Sequence, residues 1–158
     1  MNHATLCILI DENSERILLG MKKMGFGKGK YNGFGGKPKQ DETVEDAAIR
    51  EVYEESGAIV PKESIEKTGE LNFTFDKKPE WNQQVHVFIA KNWKGAIKES
   101  EEMKPEWFGF NDIPFDKMWN DDKHWLPLIL KGDKIKADFT FGDDNETIIN
   151  YKINKIIK

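Results

Sequence analysis

The 158-residue chain has one cysteine, three histidines, and no apolar run near the roughly 18 residues of a membrane span. Each shortage excludes a class. A single cysteine, Cys7, cannot build a disulfide scaffold or a Cys-based zinc site, and it fits a reducing compartment. Internal repeats and low-complexity linkers are missing, which excludes a repeat array. The opening residues Met1–Thr5 lack the basic end and long apolar stretch of a secretory signal, so a cytoplasmic protein is expected, with no membrane association. Basic charge is also short: 24 Lys and Arg face 28 Asp and Glu, a net −4 at pH 7. That balance leaves no electrostatic footprint for polymeric nucleic acid. Any phosphate chemistry then needs a local device such as a metal ion.

What is present is globular. Hydrophobic residues make up 38%, charged residues 33% and aromatics 11%, too apolar and aromatic for a disordered chain. The length predicts one domain over residues 1–158. Leu6–Ile10 is an apolar run of strand length, ended by the turn-like Asp11-Glu12-Asn13-Ser14, and Arg16–Met21 reads as its hairpin partner. Six glycines between residues 25 and 36 make that segment a shaped loop. Thr43–Ser56 is the clearest helix, with a capping-box-like start at Thr43 and Gly57 placed to end it. Strands are expected at Leu71–Phe75, Val85–Ala90 and Trp107–Phe110, a second helix over 117–130, and a closing hairpin of Phe139–Phe141 and Thr147–Ile153. Strands before and after a capped helix predict a mixed sheet with helices packed on it, an α/β (α+β) class.

The first helix breaks its own pattern. At about 100° per residue, Val44, Ala48, Glu51 and Glu55 fall on one stripe, and Glu54 lies beside Ala47. Taken alone, these carboxylates read as a solvated acidic rim. A glycine-rich loop runs directly into the helix, however, and clustered carboxylates suit hard divalent cations. Loop, stripe and missing basic patch together point to metal-assisted phosphate chemistry. Water is the expected nucleophile, since this segment offers no Ser/His or Cys/His pair.

Gly36, then five residues, Glu42, then seven, then Arg50-Glu51-Val52-Tyr53-Glu54-Glu55-Ser56-Gly57 resembles the signature of the Nudix hydrolases. Only the final aliphatic position departs, being Ala58. The resemblance implies an α/β/α sandwich around a mixed sheet and hydrolysis of a nucleoside diphosphate linked to another group. It also implies that Glu51, Glu54 and Glu55 hold Mg²⁺, with Mn²⁺ able to substitute. The Gly35 carbonyl and Glu102 join them, Arg50 orients a box glutamate, and Glu42 supports the loop–helix geometry. Over roughly residues 5–153 the likeness extends to family members acting on oxidised purine nucleoside triphosphates, through Gly20–Lys23, Asn32–Lys37, Val85–Phe88 and the Met118–Asp122 run. A monomer acting on a small-molecule nucleoside triphosphate is implied. Alternatives within the family are an ordinary dNTP, dinucleoside polyphosphate or nucleotide sugar hydrolase, or a silent nucleotide-binding module.

A purine pocket wants aromatic walls and a few placed polar groups. Trp119 and the Asp121-Asp122 pair supply both within four residues. Asn32 can address the base edge, and the resemblance places Phe26, Phe73 and Thr5 at the pocket and Lys22 on the sugar or phosphate side. By themselves, Trp119 reads as core, the aspartates as a turn or helix start, and Asn32 as a turn residue. His86 reads as structural, His3 and His124 show no zinc pattern, and Cys7 reads as inert core. The sequence departs from the resembled enzymes at Tyr31, where they carry tryptophan, and in a longer Asp76–Gln84 segment. Gln83 there falls near a pocket position that is methionine in those relatives. Asp11–Glu15 also carries about two extra residues by the same resemblance.

Overall fold

A computed structural model describes residues 2–156. Eight strands form one mixed sheet: β1 (Asn2–Asp11), β2 (Arg16–Lys22), β3 (Tyr31–Asn32), β4 (Ile65–Phe75), β5 (Gln83–Ala90), β6 (Met103–Gly109), β7 (Ile135–Phe141) and β8 (Ile148–Lys155). The order is β3-β2-β1-β5-β4-β7-β8, with β6 paired to β2. β1 and β5 run parallel, as do β4 and β7; the other pairings are antiparallel. Helix α1 (Val44–Ser56) packs on one face and α2 (Asp122–Leu130) on the other, the expected sandwich.

The continuous apolar run of β1 follows from burial on both faces. Cys7 and Leu9 join Ala48 and Val52 of α1, while Leu6, Ile8 and Ile10 join Trp125, Leu126 and Ile129 of α2. Cys7 is fully buried, and burial pushes its thiol up to about 12, so it is inert as expected. Helix α1 has the expected ends. The Thr43 hydroxyl accepts from the Asp46 N–H at 3.1 Å, and Gly57 closes the helix at φ 82°.

The second helix is shorter than expected. Residues 115–117 form a 3-10 turn and Met118 is extended (φ −122°, ψ 174°), which drops its side chain into the core before α2 begins at Asp122. The glycine-rich segment contains the short strand β3. No helix among the described residues is long and apolar enough to cross a membrane.

The two ends of α1 set where its carboxylates sit, and each has a measurable contribution. Thr43→Ala should lower stability by about 1 kcal/mol through loss of the cap. Gly57→Ala should cost about 1–3 kcal/mol, because an L residue at positive φ is strained. The added Cβ would also lie 2.8 Å from the Ala96 carbonyl oxygen. Urea denaturation of both variants checks the order of effects.

Candidate functional site

Residues 33–36 run against β1 so closely that Gly33 and Gly35 have no room for a side chain. Cys7 and Phe34 exchange backbone hydrogen bonds at 2.6 and 2.9 Å, and the Thr5 N–H donates to the Gly36 carbonyl at 2.8 Å. A Cβ on Gly35 would fall 1.8 Å from the Thr5 carbonyl oxygen. The Thr5 hydroxyl is engaged with Gly36 as well, donating to its carbonyl at 3.2 Å and accepting from its N–H at 3.3 Å. This contact holds the loop over α1. There the Gly35 N–H donates to Glu55 Oε1 at 2.9 Å, and Gly36 leaves space for the Glu51 carboxylate.

Arg50 organises the acidic face. Its Nε and Nη2 donate to the two oxygens of Glu42, both at 2.9 Å, a bidentate pair. Nη1 reaches Glu51 Oε1 at 2.7 Å and the Glu54 carboxylate at 3.3 and 3.4 Å. The Arg50 hydrogen bonds, with the Lys39 N–H, hold Glu42 down to about 2. Glu55 is the opposite case. It is buried, and burial first, then the charges of Glu51 and Glu102, push it up to about 8 against the Gly35 hydrogen bond and the Lys22 charge. Burial also raises Glu51. Glu54 is about half exposed, at 51%, so it lies at the rim of the stripe and not within it. The Lys23 N–H donates to the Glu102 carbonyl at 2.8 Å, which sets Glu102 beside the end of β2.

This donor set is all oxygen, and two of its carboxylates are raised by burial and then by neighbouring carboxylates, so the residues suit a hard cation in kind. Among the described residues, no three acidic, histidine or cysteine side chains converge on one point. Arg50 holds Glu51 and Glu54 in this arrangement.

The second part of the site packs with α2. Asp121 and Asp122, legible from sequence as a turn, are only 5% and 3% exposed. The Trp125 indole N–H donates to Asp121 Oδ2 at 2.8 Å, while Asp122 Oδ2 is buried without a hydrogen-bond partner. Burial raises both carboxyls. Asp122 lies well above the aspartate range, because the Asp121 charge and the hydrogen bond shared with Asp121 add to burial. Just before them, Trp119 stacks on Phe26 with centroids 5.2 Å apart, and Lys30 Nζ lies 4.9 Å from its ring centre. Phe26 is joined to Phe73 by a chain of ring contacts through Trp81, Phe75 and Phe141. Asn32 Oδ1 accepts from the Gly33 N–H at 3.0 Å, a turn contact, and no hydrogen bond among the described residues joins it to the aspartates.

Three features escape the sequence reading. Trp81 lies in the longer segment, but only the fold brings it to Phe26. Lys30 carries no motif at all. His3 Nδ1 sits 3.0 Å from His86 Nε2, a pairing that exists only because β1 and β5 are neighbours.

Comparison with known proteins agrees with this geometry. A family profile described as NUDIX domain matches residues 1–129. The oxidized purine nucleoside triphosphate hydrolase of Mus musculus is 46% identical over 142 residues, covering 90% of this chain and 88% of that protein. Its Danio rerio counterpart is 45% identical over 141 residues, covering 89% and 88%. The crystal structure of a mutator MutT protein from Bacillus halodurans superposes with a TM-score of 0.83 at 25% identity, covering 98% of each chain. The glycine loop and the carboxylate helix lie within the matched profile, and the chain belongs to the Nudix hydrolase family.

Proposed function

We propose that this protein is a Mg²⁺-dependent diphosphohydrolase of oxidised purine nucleoside triphosphates, 8-oxo-dGTP and 2-hydroxy-dATP among them. It releases monophosphate and pyrophosphate and so clears damaged nucleotides from the pool. The observation that carries the reading is the buried Asp121–Asp122 pair beside Trp119, with Asp122 Oδ2 unpartnered. A buried carboxyl oxygen without a partner is costly unless it serves a ligand. The names of the mouse and zebrafish relatives support the substrate class. We read the protein as a one-domain, cytoplasmic monomer acting on a small nucleotide.

Nudix hydrolases use divalent metal ions; here Glu51, Glu54, Glu55, Glu102 and the Gly35 carbonyl would hold Mg²⁺, or Mn²⁺ in its place. The bound ion supplies Lewis acidity, acidifying the attacking water and offsetting charge on the leaving pyrophosphate. Arg50, clamped by Glu42, fixes the carboxylates of Glu51 and Glu54. Lys22, whose charge is felt at Glu55, meets the phosphate side. Trp119, Phe26 and Phe73 offer aromatic surface to the base, Asn32 addresses its edge, and Thr5 acts at one remove by holding Gly36.

The aspartate pair reads the edge. One shared proton gives it one donor and one acceptor, and moving that proton between Asp121 and Asp122 exchanges the two. One pocket then matches the edges of both oxidised guanine and oxidised adenine.

Hydrolysis should stop in excess chelator and return with Mg²⁺. Glu54→Gln and Glu55→Gln should each lower kcat by roughly 10²-fold or more, on the order of 3 kcal/mol of transition-state stabilisation, with the fold retained. Steady-state kinetics beside circular dichroism tests this; near wild-type rates would remove those residues from the catalytic set.

Asp121→Asn and Asp122→Asn leave the acidic helix untouched. Each should lower kcat/KM for 8-oxo-dGTP by roughly 5–150-fold, the effect of about 1–3 kcal/mol for an unmatched polar partner, and shift its ratio to 2-hydroxy-dATP. Unchanged values for both nucleotides and for dGTP would reduce the pair to a structural turn.

The same pair sets a pH dependence. Its folded-state pKa values lie above those of the unfolded chain, so above the ordinary aspartate range the folded state binds more protons. Stability then falls as pH rises through and above the ordinary aspartate range. Glu55 contributes with the same sign. Asp122→Asn should flatten the slope of unfolding free energy against pH, measured by urea melts in chelator. An unaltered slope would contradict proton retention by the pair.

A further inference from the structure

Phe26 occupies the tip of a loop in which Gly25, Gly27 and Gly29 all have positive φ (75°, 84° and 87°), and it is 69% exposed. Backbone hydrogen bonds shape this loop (Gly29 N–H to the Lys22 carbonyl at 2.8 Å, Lys30 N–H to the Gly27 carbonyl at 2.9 Å), but they act on the main chain and leave the Phe26 ring to be placed by its neighbours. Two tryptophans place it. Trp119 stacks on Phe26, and Trp81 meets it edge-on with centroids 5.6 Å apart at 63°.

Trp81 is the fixed member of that contact. It ends a 3-10 turn over Pro79–Trp81, with the Trp81 N–H donating to the Lys78 carbonyl at 2.9 Å. Asn82 Oδ1 accepts from the Phe75 N–H at 2.7 Å, which ties the turn to β4. Asn2 Nδ2 donates to the carbonyls of Glu80 and Asn82 at 3.0 and 3.2 Å, which ties it to β1. The Trp81 ring is gripped by Phe75 at 5.7 Å and by Lys78 Nζ at 4.4 Å from its centre. An anchored ring therefore meets a largely exposed one.

We propose that Trp81 is a positioning and specificity residue that holds Phe26 against Trp119, so that the aromatic wall for the base exists before substrate arrives. This rests on the oxidised-purine reading above and deepens it. Preformation lowers the ordering cost of binding. The wall acts through ring faces, whereas the aspartates act on the base edge. Trp81 thus favours two-ring bases over one-ring bases and is indifferent to oxidation. A pyrimidine covers less of the wall and gains less from it.

The test replaces Trp81 by leucine, which keeps apolar bulk over Phe75 but removes the ring, and by phenylalanine, which keeps an aromatic edge. W81L should raise KM for 8-oxo-dGTP and dGTP alike by about 2–10-fold, the scale of an aromatic pair, with kcat within about twofold of wild type. KM for dCTP should rise by a smaller factor, and W81F should restore the purine values. F26A should raise purine KM at least as much as W81L, and the double variant should be no worse than F26A alone, since Trp81 acts through Phe26. In the free protein, the Phe26 ring protons should lose their Trp119 ring-current shift in W81L, read by NMR without substrate. Unchanged purine KM in W81L, a loss confined to kcat, additive effects in the double variant, failure of W81F to rescue, or an unmoved Phe26 signal would each overturn the proposal. A wild-type protein inactive on every oxidised purine triphosphate would instead refute the proposed function, and the NMR shift would still decide the role of Trp81.

Discussion

The contact on which the site depends is backbone against backbone: residues 33–36 laid on β1. No side chain larger than hydrogen fits at Gly35, where a Cβ would come within 1.8 Å of the Thr5 carbonyl oxygen. The closeness lets Thr5 and Cys7 exchange hydrogen bonds with Gly36 and Phe34, and it turns the Gly35 N–H towards Glu55. At Gly36 the same lack of a side chain leaves room for the Glu51 carboxylate, 2.7 Å from where a Cβ would stand. Loosening this contact would separate the loop from the helix proposed to carry the chemistry.

Once the loop is in place, environment assigns different roles to identical side chains. Glu42 and Glu55 lie thirteen residues apart by sequence and belong to one site. Arg50 grips Glu42 with two hydrogen bonds and keeps it ionised at about 2, while burial beside other carboxylates pushes Glu55 up to about 8. A structural anion and a proton-holding or cation-binding group are thereby separated without any change of residue type. Arg50 also restrains Glu51 and Glu54, so the repulsion that clustering creates is partly offset before any cation binds.

The residues proposed to read the base lie apart from this cluster. The aspartates open α2, whose apolar residues belong to one core cluster, whereas Ala48 and Val52 of α1 belong to the other. Substitutions at the base pocket and at the acidic helix should therefore separate cleanly in kinetics. A chain of ring contacts from Phe26 through Trp81, Phe75 and Phe141 to Phe73 lines the proposed recognition side and connects the glycine loop to the sheet.

Local chemistry was legible in the sequence wherever neighbours along the chain carry it. Thr43 and Gly57 bound α1 because capping involves residues three or four apart, and the two-faced apolar run of β1 announced a buried strand. The spacing of Gly36, Glu42 and Arg50–Gly57 showed the acidic helix and its loop, since both lie in one contiguous stretch. What only the tertiary structure decided involves distant partners. Asp121 and Asp122 are equally good turn residues until Met118 and Trp125 draw their segment into the core. The helix begins at Asp122 and not near 117 for the same reason, because burying Met118 demands an extended residue where helical periodicity would continue. Thr5, expected at the pocket, proves to spend its hydroxyl on Gly36, thirty-one residues away. Trp81 meets Phe26 across fifty-five residues, and no local pattern encodes a ring contact between two loops. Contacts of that separation arise from how the strands are ordered in the sheet, which periodicity and capping signals do not specify.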